Sequence, residues 1–258
     1  WLPQIPGYPF ITLGGIVATN SHGKSCDTHG TVRRAIKKIR LFHKIHGWLD
    51  LSENENKEIF ELTIGGLGLT GTIIAITFQL EKIENVLFDT EIEKVDSFKD
   101  CSTKILNSKG EKNFVYSWNR ADNFQNFGKG YIFRNKIIQE NLQKEINLKD
   151  IIFKKFNNFP FNFWNKISLN IINKCFYEFQ NFKGKNIRED FTKVIFPYLG
   201  NENYFKLFGP KGFFESQIIF SKENAEVFIE EFLSIFKKLK PTITLLSMKN
   251  ISGNQIYL

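Results

Sequence analysis

The sequence predicts an α+β protein, and three features carry that expectation. Glycines punctuate short apolar runs through residues 7–80, the texture of buried strands joined by tight turns. From about residue 85 the composition shifts towards Phe, Asn and Lys, and strand-like runs alternate with helical ones. Near the C-terminal end Ala225, Phe228, Phe232, Ile235 and Leu239 recur at three- and four-residue steps, the period of an amphipathic helix. The expected organisation is a glycine-rich unit over residues 1–84 followed by a mixed unit over residues 85–258.

Taken in order, Phe10 to Ala18 is an apolar run that reads as a first strand. Residues 34–43 make a second, His46-Gly47 supplies a turn, and Trp48 to Leu51 returns as the other arm of a hairpin. After Ser52, Glu55 to Leu62 predicts a short helix with Ile59 and Leu62 on one side, ended by the Gly65-Gly66 pair. Thr72 to Leu80 is a β-branched strand. In the second unit Phe114–Trp118, Tyr131–Arg134 and Phe213–Phe220 read as strands, and Ser221 caps a helix from Lys222 to Leu239 that Pro241 ends. Residues 150–180 combine Phe153, Phe156, Phe159, Phe161, Phe163 and Trp164 with lysines and asparagines, and Pro160 breaks any single helix there. Core, lid and membrane-facing surface all fit that composition.

Composition bounds the function. A chain of 258 residues with 42% hydrophobic content can bury a substantial core, which excludes intrinsic disorder. No apolar run is long enough to span a bilayer, and no signal-peptide pattern opens the chain. The charge, 35 basic against 27 acidic residues or +8, attracts phosphates, nucleic acid or anionic lipid. It is spread along the chain, so a solvated surface is the plain explanation; a basic phosphate- or nucleic-acid-binding module is the alternative, without a recognisable motif behind it. Cys26, Cys101 and Cys175 are odd in number and widely spaced, which argues for a reducing, cytoplasmic setting over a disulfide framework. The only methionine is Met248 and the chain opens on Trp1, so it reads as a piece of a longer protein.

The densest chemical signal is a series of glycines: Pro6-Gly7, then Thr12-Leu13-Gly14-Gly15, then His22-Gly23-Lys24-Ser25, and later Gly65-Gly66-Leu67-Gly68-Leu69-Thr70-Gly71. Residues without a Cβ let backbone amides approach a ligand, and successive amides bind anions and polar cofactor edges. Any one of these pairs alone reads as a tight turn. Gly66-x-Gly68-x-x-Gly71 matches the dinucleotide-binding spacing, but it follows a predicted helix and leads into a strand, the reverse of what a Rossmann unit requires. His22, Cys26, Asp27 and His29 lie close enough to suggest zinc, yet no second ligand pair accompanies them, so no metal is expected.

The order T-L-G-G, H-G-K-S and G-G-x-G-L-T-G, leading into an apolar strand, resembles the vanillyl-alcohol oxidase (PCMH) type of FAD-binding domain. Within that superfamily it is most similar to decaprenylphosphoryl-ribose 2-oxidases and to bacterial sugar and alditol oxidases. The likeness continues in Phe208-Gly209-Pro210-Lys211-Gly212-Phe213 with Gln217 after it, and in the run to Lys249 followed by Gly253-Asn254-Gln255. The resemblance implies that residues 1–84 are the second half of such a domain and residues 85–258 part of a substrate (cap) domain. It implies FAD as cofactor, held by Gly7, Thr12, Leu13, Gly14, Gly15, His22, Gly23, Lys24, Ser25 and the backbone at Ile73. Lys24 would stand beside flavin and substrate as the catalytic cation, with Gln217 and Lys249 lining the substrate side. Implied partners are a sugar or polyol, free or polyprenyl-phosphate-linked, a membrane surface that a lipid-linked substrate would bring, and a reductase for the keto product. A soluble alditol or aldonolactone oxidase is the neighbouring reading. The sequence departs from the pattern at Glu215, where the family can carry an amide, and at Ser25-Cys26-Asp27 after the H-G-K loop.

Overall fold

The computed structural model describes residues 1–83, 87–108, 113–138, 158–182, 185–197 and 203–253. Helices and two antiparallel sheets make up an α+β fold. The first third contains α1 (Leu13–Ala18), α2 (Cys26–His29), β1 (Ile36–His43), β2 (Gly47–Ser52), α3 (Lys57–Thr63) and β3 (Thr72–Phe78). β1 and β2 form the expected hairpin, in register from His43↔Gly47 to Lys38↔Ser52, and Gly47 takes the positive φ of +70° that its turn requires. β3 pairs with the other side of β1, giving the order β2-β1-β3.

Two expectations in this part are corrected. Phe10–Ala18 is not a strand: the Thr12 hydroxyl accepts the Gly15 N–H at 3.1 Å and starts α1. Ile16 and Val17 then enter the core against Ile39, Leu41 and Phe60, while Phe10 and Ile11 stay exposed. In α3 the larger Phe60 takes the core with Thr63 beside it, Ile59 packs alongside, and Leu62 points outward. Ser52 closes a turn with Glu55, and the left-handed Asn56 precedes the helix.

The second sheet has the order β5-β6-β4-β7, built from β4 (Leu87–Val95), β5 (Asn113–Asn119), β6 (Gly130–Ile137) and β7 (Asn186–Asp190). On one face α4 (Phe98–Leu106) lays Cys101 and Ile105 against Val95, Val115 and Ile132. The other face is aromatic. Phe88 and Phe114 meet Trp1 and α6 (Phe191–Ile195), while Tyr131 packs against Tyr177 of α5 (Lys166–Phe182). α5 begins well past Pro160, as the proline predicts; Phe159, Phe161 and Phe163 before it are exposed and Trp164 is buried. Phe153 and Phe156 lie outside the described residues, as do Asn254 and Gln255.

After α7 (Asn203–Lys206) the chain runs to α8 (Ala225–Leu239). Phe213–Phe220 does not form the expected strand. The place beside β5 is occupied instead by residues 246–248: Asn119 and Ser117 donate their amides to the Leu246 and Met248 carbonyls at 2.9 and 3.0 Å. Phe213 packs on Phe208 and Phe220 stacks on Phe228 without a strand partner among the described residues. A 3-10 turn over Lys222–Asn224 separates Ser221 from α8, and Pro241 follows its left-handed cap at Lys240. The buried stripe of α8 is Ala225, Ile229 and Phe236, with Phe228, Phe232 and Leu233 at its margins; Ile235 and Leu239 are exposed. Glu226, Glu230, Glu231, Ser234, Lys237 and Lys238 make the polar face of this helix; its wide apolar face packs on Phe98 and Phe127 through the Ile229 side, which leaves Ile235 and Leu239 at the exposed margin.

Candidate functional site

The loop before α2 is fixed by the opening segment of the chain. Gly23 presses against Ile5 so closely that a Cβ there would stand 2.4 Å from the Ile5 carbonyl oxygen. Ser25, fully buried, donates its hydroxyl to the Pro3 carbonyl at 2.5 Å. These two residues therefore serve the chain's own packing, and the glycine is required by backbone approach. Between them Lys24 is buried, 8% exposed, with its Nζ donating to the Val194 carbonyl at 2.5 Å and lying 3.9 Å from the centre of the Tyr116 ring.

A second strand of the chain reaches the same place from the far end of the sequence. Met248 is bonded to Ser117 of β5, and Ser252 donates its amide to the Cys26 carbonyl at 2.9 Å. Asn250 accepts from the Cys26 thiol at 3.2 Å and donates to Asp27 at 2.5 Å. Lys249 is thus held between β5 and α2, close enough for its charge to act on Lys24, His22 and Cys26. Gln217 hydrogen-bonds His22 through its side chain, and the Glu215 carboxylate acts on the same imidazole. Lys24, His22, Gln217 and Lys249, singled out separately in the sequence, converge here.

The electrostatics follow from burial and from the two lysines. Burial, reinforced by Lys249 and opposed by Glu189, pushes the Lys24 ammonium down to about 7. His22 is lowered by burial first and Lys249 second, so it is held as neutral imidazole in the neutral pH range. Burial pushes the Cys26 thiol up to about 11, which keeps it protonated and unreactive. Tyr116 and Glu189 belong to this cluster and sequence reasoning did not single them out. Tyr116 lies in a recognisable alternating strand, whereas nothing local marks Glu189.

The four residues that suggested zinc point to different partners. Cys26 and Asp27 engage Asn250, His29 pairs with Glu81 at 3.3 Å, and His22 engages Gln217. Among the described residues no group of three or more His, Cys, Asp or Glu side chains is placed to hold a metal ion. Gly66-x-Gly68-x-x-Gly71 does lie between α3 and β3, as its sequence context required. Gly66 and Gly71 are glycines because the Leu62 and Phe42 carbonyls crowd them.

Thr12, Leu13 and Gly14 of the expected cofactor cradle border open space. Nothing lies within 4 Å of where a Cβ on Gly14 would stand, and Tyr8, Phe10, Ile11 and Leu13 around it are exposed. Gly7 lies beside the Ile195 carbonyl, at the end of the α6 turn that receives Lys24. Ile73 sits on β3, whose outer edge has no strand partner among the described residues. Exposed apolar side chains at Tyr8, Phe10, Ile11 and Leu13 and the buried Lys24 ammonium are features suited to a planar, electron-accepting cofactor with an anionic tail. Of the ten cradle residues, Gly23, Lys24 and Ser25 are buried and Ile73 packs against the core of the first sheet.

No family model matches the sequence. Over 271 aligned residues the chain is 23% identical to decaprenylphosphoryl-beta-D-ribose oxidase of Mycolicibacterium smegmatis, covering 93% of this chain and 57% of that protein. Over 104 residues it is 24% identical to the mitochondrial L-galactono-1,4-lactone dehydrogenase of Brassica oleracea, covering 40% of this chain and 17% of that protein. The chain thus spans little more than half the length of the first relative and less of the second. An oxidase and a dehydrogenase of sugar-derived compounds are its distant homologues, which supports an oxidoreductase related to the FAD-linked oxidases without singling out one member.

Proposed function

We propose that this chain contributes to an FAD-dependent oxidoreductase that oxidises a secondary CH–OH group of a sugar or polyol. The observation that carries the reading is the convergence of His22, Gln217 and Lys249 on the buried Lys24 from three distant stretches of sequence. FAD, held along Gly7, Thr12–Gly15, the His22–Lys24 loop and the backbone at Ile73, would supply the two-electron acceptor for the substrate carbon. Gln217 offers both a donor and an acceptor to sugar hydroxyls, and Lys249 a point charge for a hydroxyl or phosphate oxygen. Neutral His22, oriented by Gln217, is suited to accept the hydroxyl proton as the C–H bond breaks. Lys24 stabilises the negative charge that develops in the pocket, where low dielectric makes a fixed cation effective.

The name of the longest-matching relative favours a polyprenyl-phosphate-linked sugar, and the exposed Phe159, Phe161 and Phe163 beside Lys166 suit an anionic membrane surface carrying it. A cytoplasmic location and a reductase acting on the keto product belong to the same proposal. The name of the second relative favours a free sugar lactone. One experiment separates them: product analysis on the full-length protein with free polyols and lactones in one arm and a polyprenyl-phosphate sugar in anionic vesicles in the other. Lys24→Ala should lower kcat in the productive arm by roughly 100-fold while flavin content stays near wild type. Turnover in neither arm, or an unchanged kcat in the variant, contradicts the reading.

A further inference from the structure

The buried Lys24 ammonium meets the face of an aromatic ring where a carboxylate would be the usual partner of a buried cation. Tyr116 lies on β5 opposite Phe133 of β6, and the two rings stack at 5.1 Å with planes 16° apart. That cross-strand stack fixes the plane of the Tyr116 ring before Lys24 arrives. The Nζ sits 3.9 Å from its centroid and donates at the same time to the Val194 carbonyl. A desolvated ammonium over an electron-rich ring face is attracted more strongly than an exposed one, because no water competes for the cation.

From this geometry we infer that Tyr116 is a positioning residue for the proposed catalytic cation: its ring face and the Val194 carbonyl together hold Lys24 as an ammonium at the pocket. The inference rests on the oxidoreductase reading only for its link to turnover; the contact itself stands apart from it. The charges that face Lys24 are Lys249 from the segment after β5's edge, which opposes the ammonium, and Glu189 from β7, which favours it. Lys249 has the wrong sign to hold the ammonium, and the Glu189 carboxylate adds its charge to the hold of the ring face and the Val194 carbonyl. The Nζ contact is with the ring face, which a phenylalanine keeps and an aliphatic residue removes.

The test is carried out on the full-length protein labelled with 13Cε-lysine, with the Lys24 resonance assigned through Lys24→Arg and its titration followed against pH. Tyr116→Phe should titrate within a few tenths of a unit of wild type, while Tyr116→Leu should titrate about one unit lower, a tenfold loss of proton affinity. The alkaline limb of kcat should move by the same amount. Should Tyr116→Leu fail to fold, fluorinated phenylalanines at position 116 keep the shape and weaken the ring face, and the titration should fall stepwise with fluorine number. A Lys24 titration indifferent to Leu or to fluorination, or a Phe variant as perturbed as Leu, overturns the inference. Absence of turnover in wild type alongside a titration that moves as expected contradicts the proposed activity and leaves the positioning role standing.

Discussion

At the scale of single residues, glycine-rich spacing carries two different messages that only packing separates. Gly23, Gly66 and Gly71 are side-chain-free because another carbonyl of the same chain occupies the space, whereas Gly14 faces open volume. A methyl group at position 23 must displace the Ile5 backbone, so Gly23→Ala should cost about 1–3 kcal/mol in chemical denaturation, in the range of an overpacked core. Gly14→Ala, with nothing within 4 Å, should unfold within about 0.5 kcal/mol of wild type. Equal effects at the two positions would contradict this division. The sequence placed both residues in one ligand-binding series, because the spacing of glycines does not reveal what approaches them. Lys24 was legible from its motif; its partners Tyr116 and Val194 were not, since they lie 92 and 170 positions away.

Secondary-structure elements repeat the lesson with periodicity. The β1–β2 hairpin was legible because turn chemistry at His46-Gly47 and β-branched or aromatic flanks agree with the tertiary pairing. α1 was not, because a short apolar run is read alike as buried strand or helix, and the Thr12 cap decided it. Phe213–Phe220 has a strand's composition, but the place beside β5 is taken by residues 246–248 and the segment joins no sheet among the described residues. β4, whose buried residues alternate along its length, carried a usable period-2 signal in Phe88, Thr90 and Ile92. For α8 the structure buries the Ile229 side of one wide apolar face and leaves the Ile235 side at its margin. Ile229, 3% exposed against Phe98 and Phe127, should cost about 2–5 kcal/mol when changed to Ala, and Ile235, 52% exposed, no more than about 0.5 kcal/mol. Denaturation midpoints that rank them the other way round would restore the stripe through Ile235.

On the scale of the whole molecule, the pocket is a meeting of sequence-distant segments. The opening residues pin the His22–Ser25 loop, residues 246–252 cross from β5 to α2, and α6 offers its last carbonyls to Lys24. The aromatic face of the second sheet borders this junction through Tyr116, whose ring meets the buried Lys24 ammonium. No described helix is long and apolar enough to cross a membrane. The fold class could be read in advance because it depends on local composition and periodicity; the convergence of Lys24, His22, Gln217 and Lys249 could not, because it depends on which edge each segment joins. The central claim is that this junction grips a flavin, and the most direct measurement is the visible absorbance of the protein expressed from its complete reading frame, before and after incubation with FAD and gel filtration. The account predicts a yellow protein with near-stoichiometric flavin whose spectrum is perturbed from that of free FAD. A folded protein that stays colourless through that incubation would contradict it.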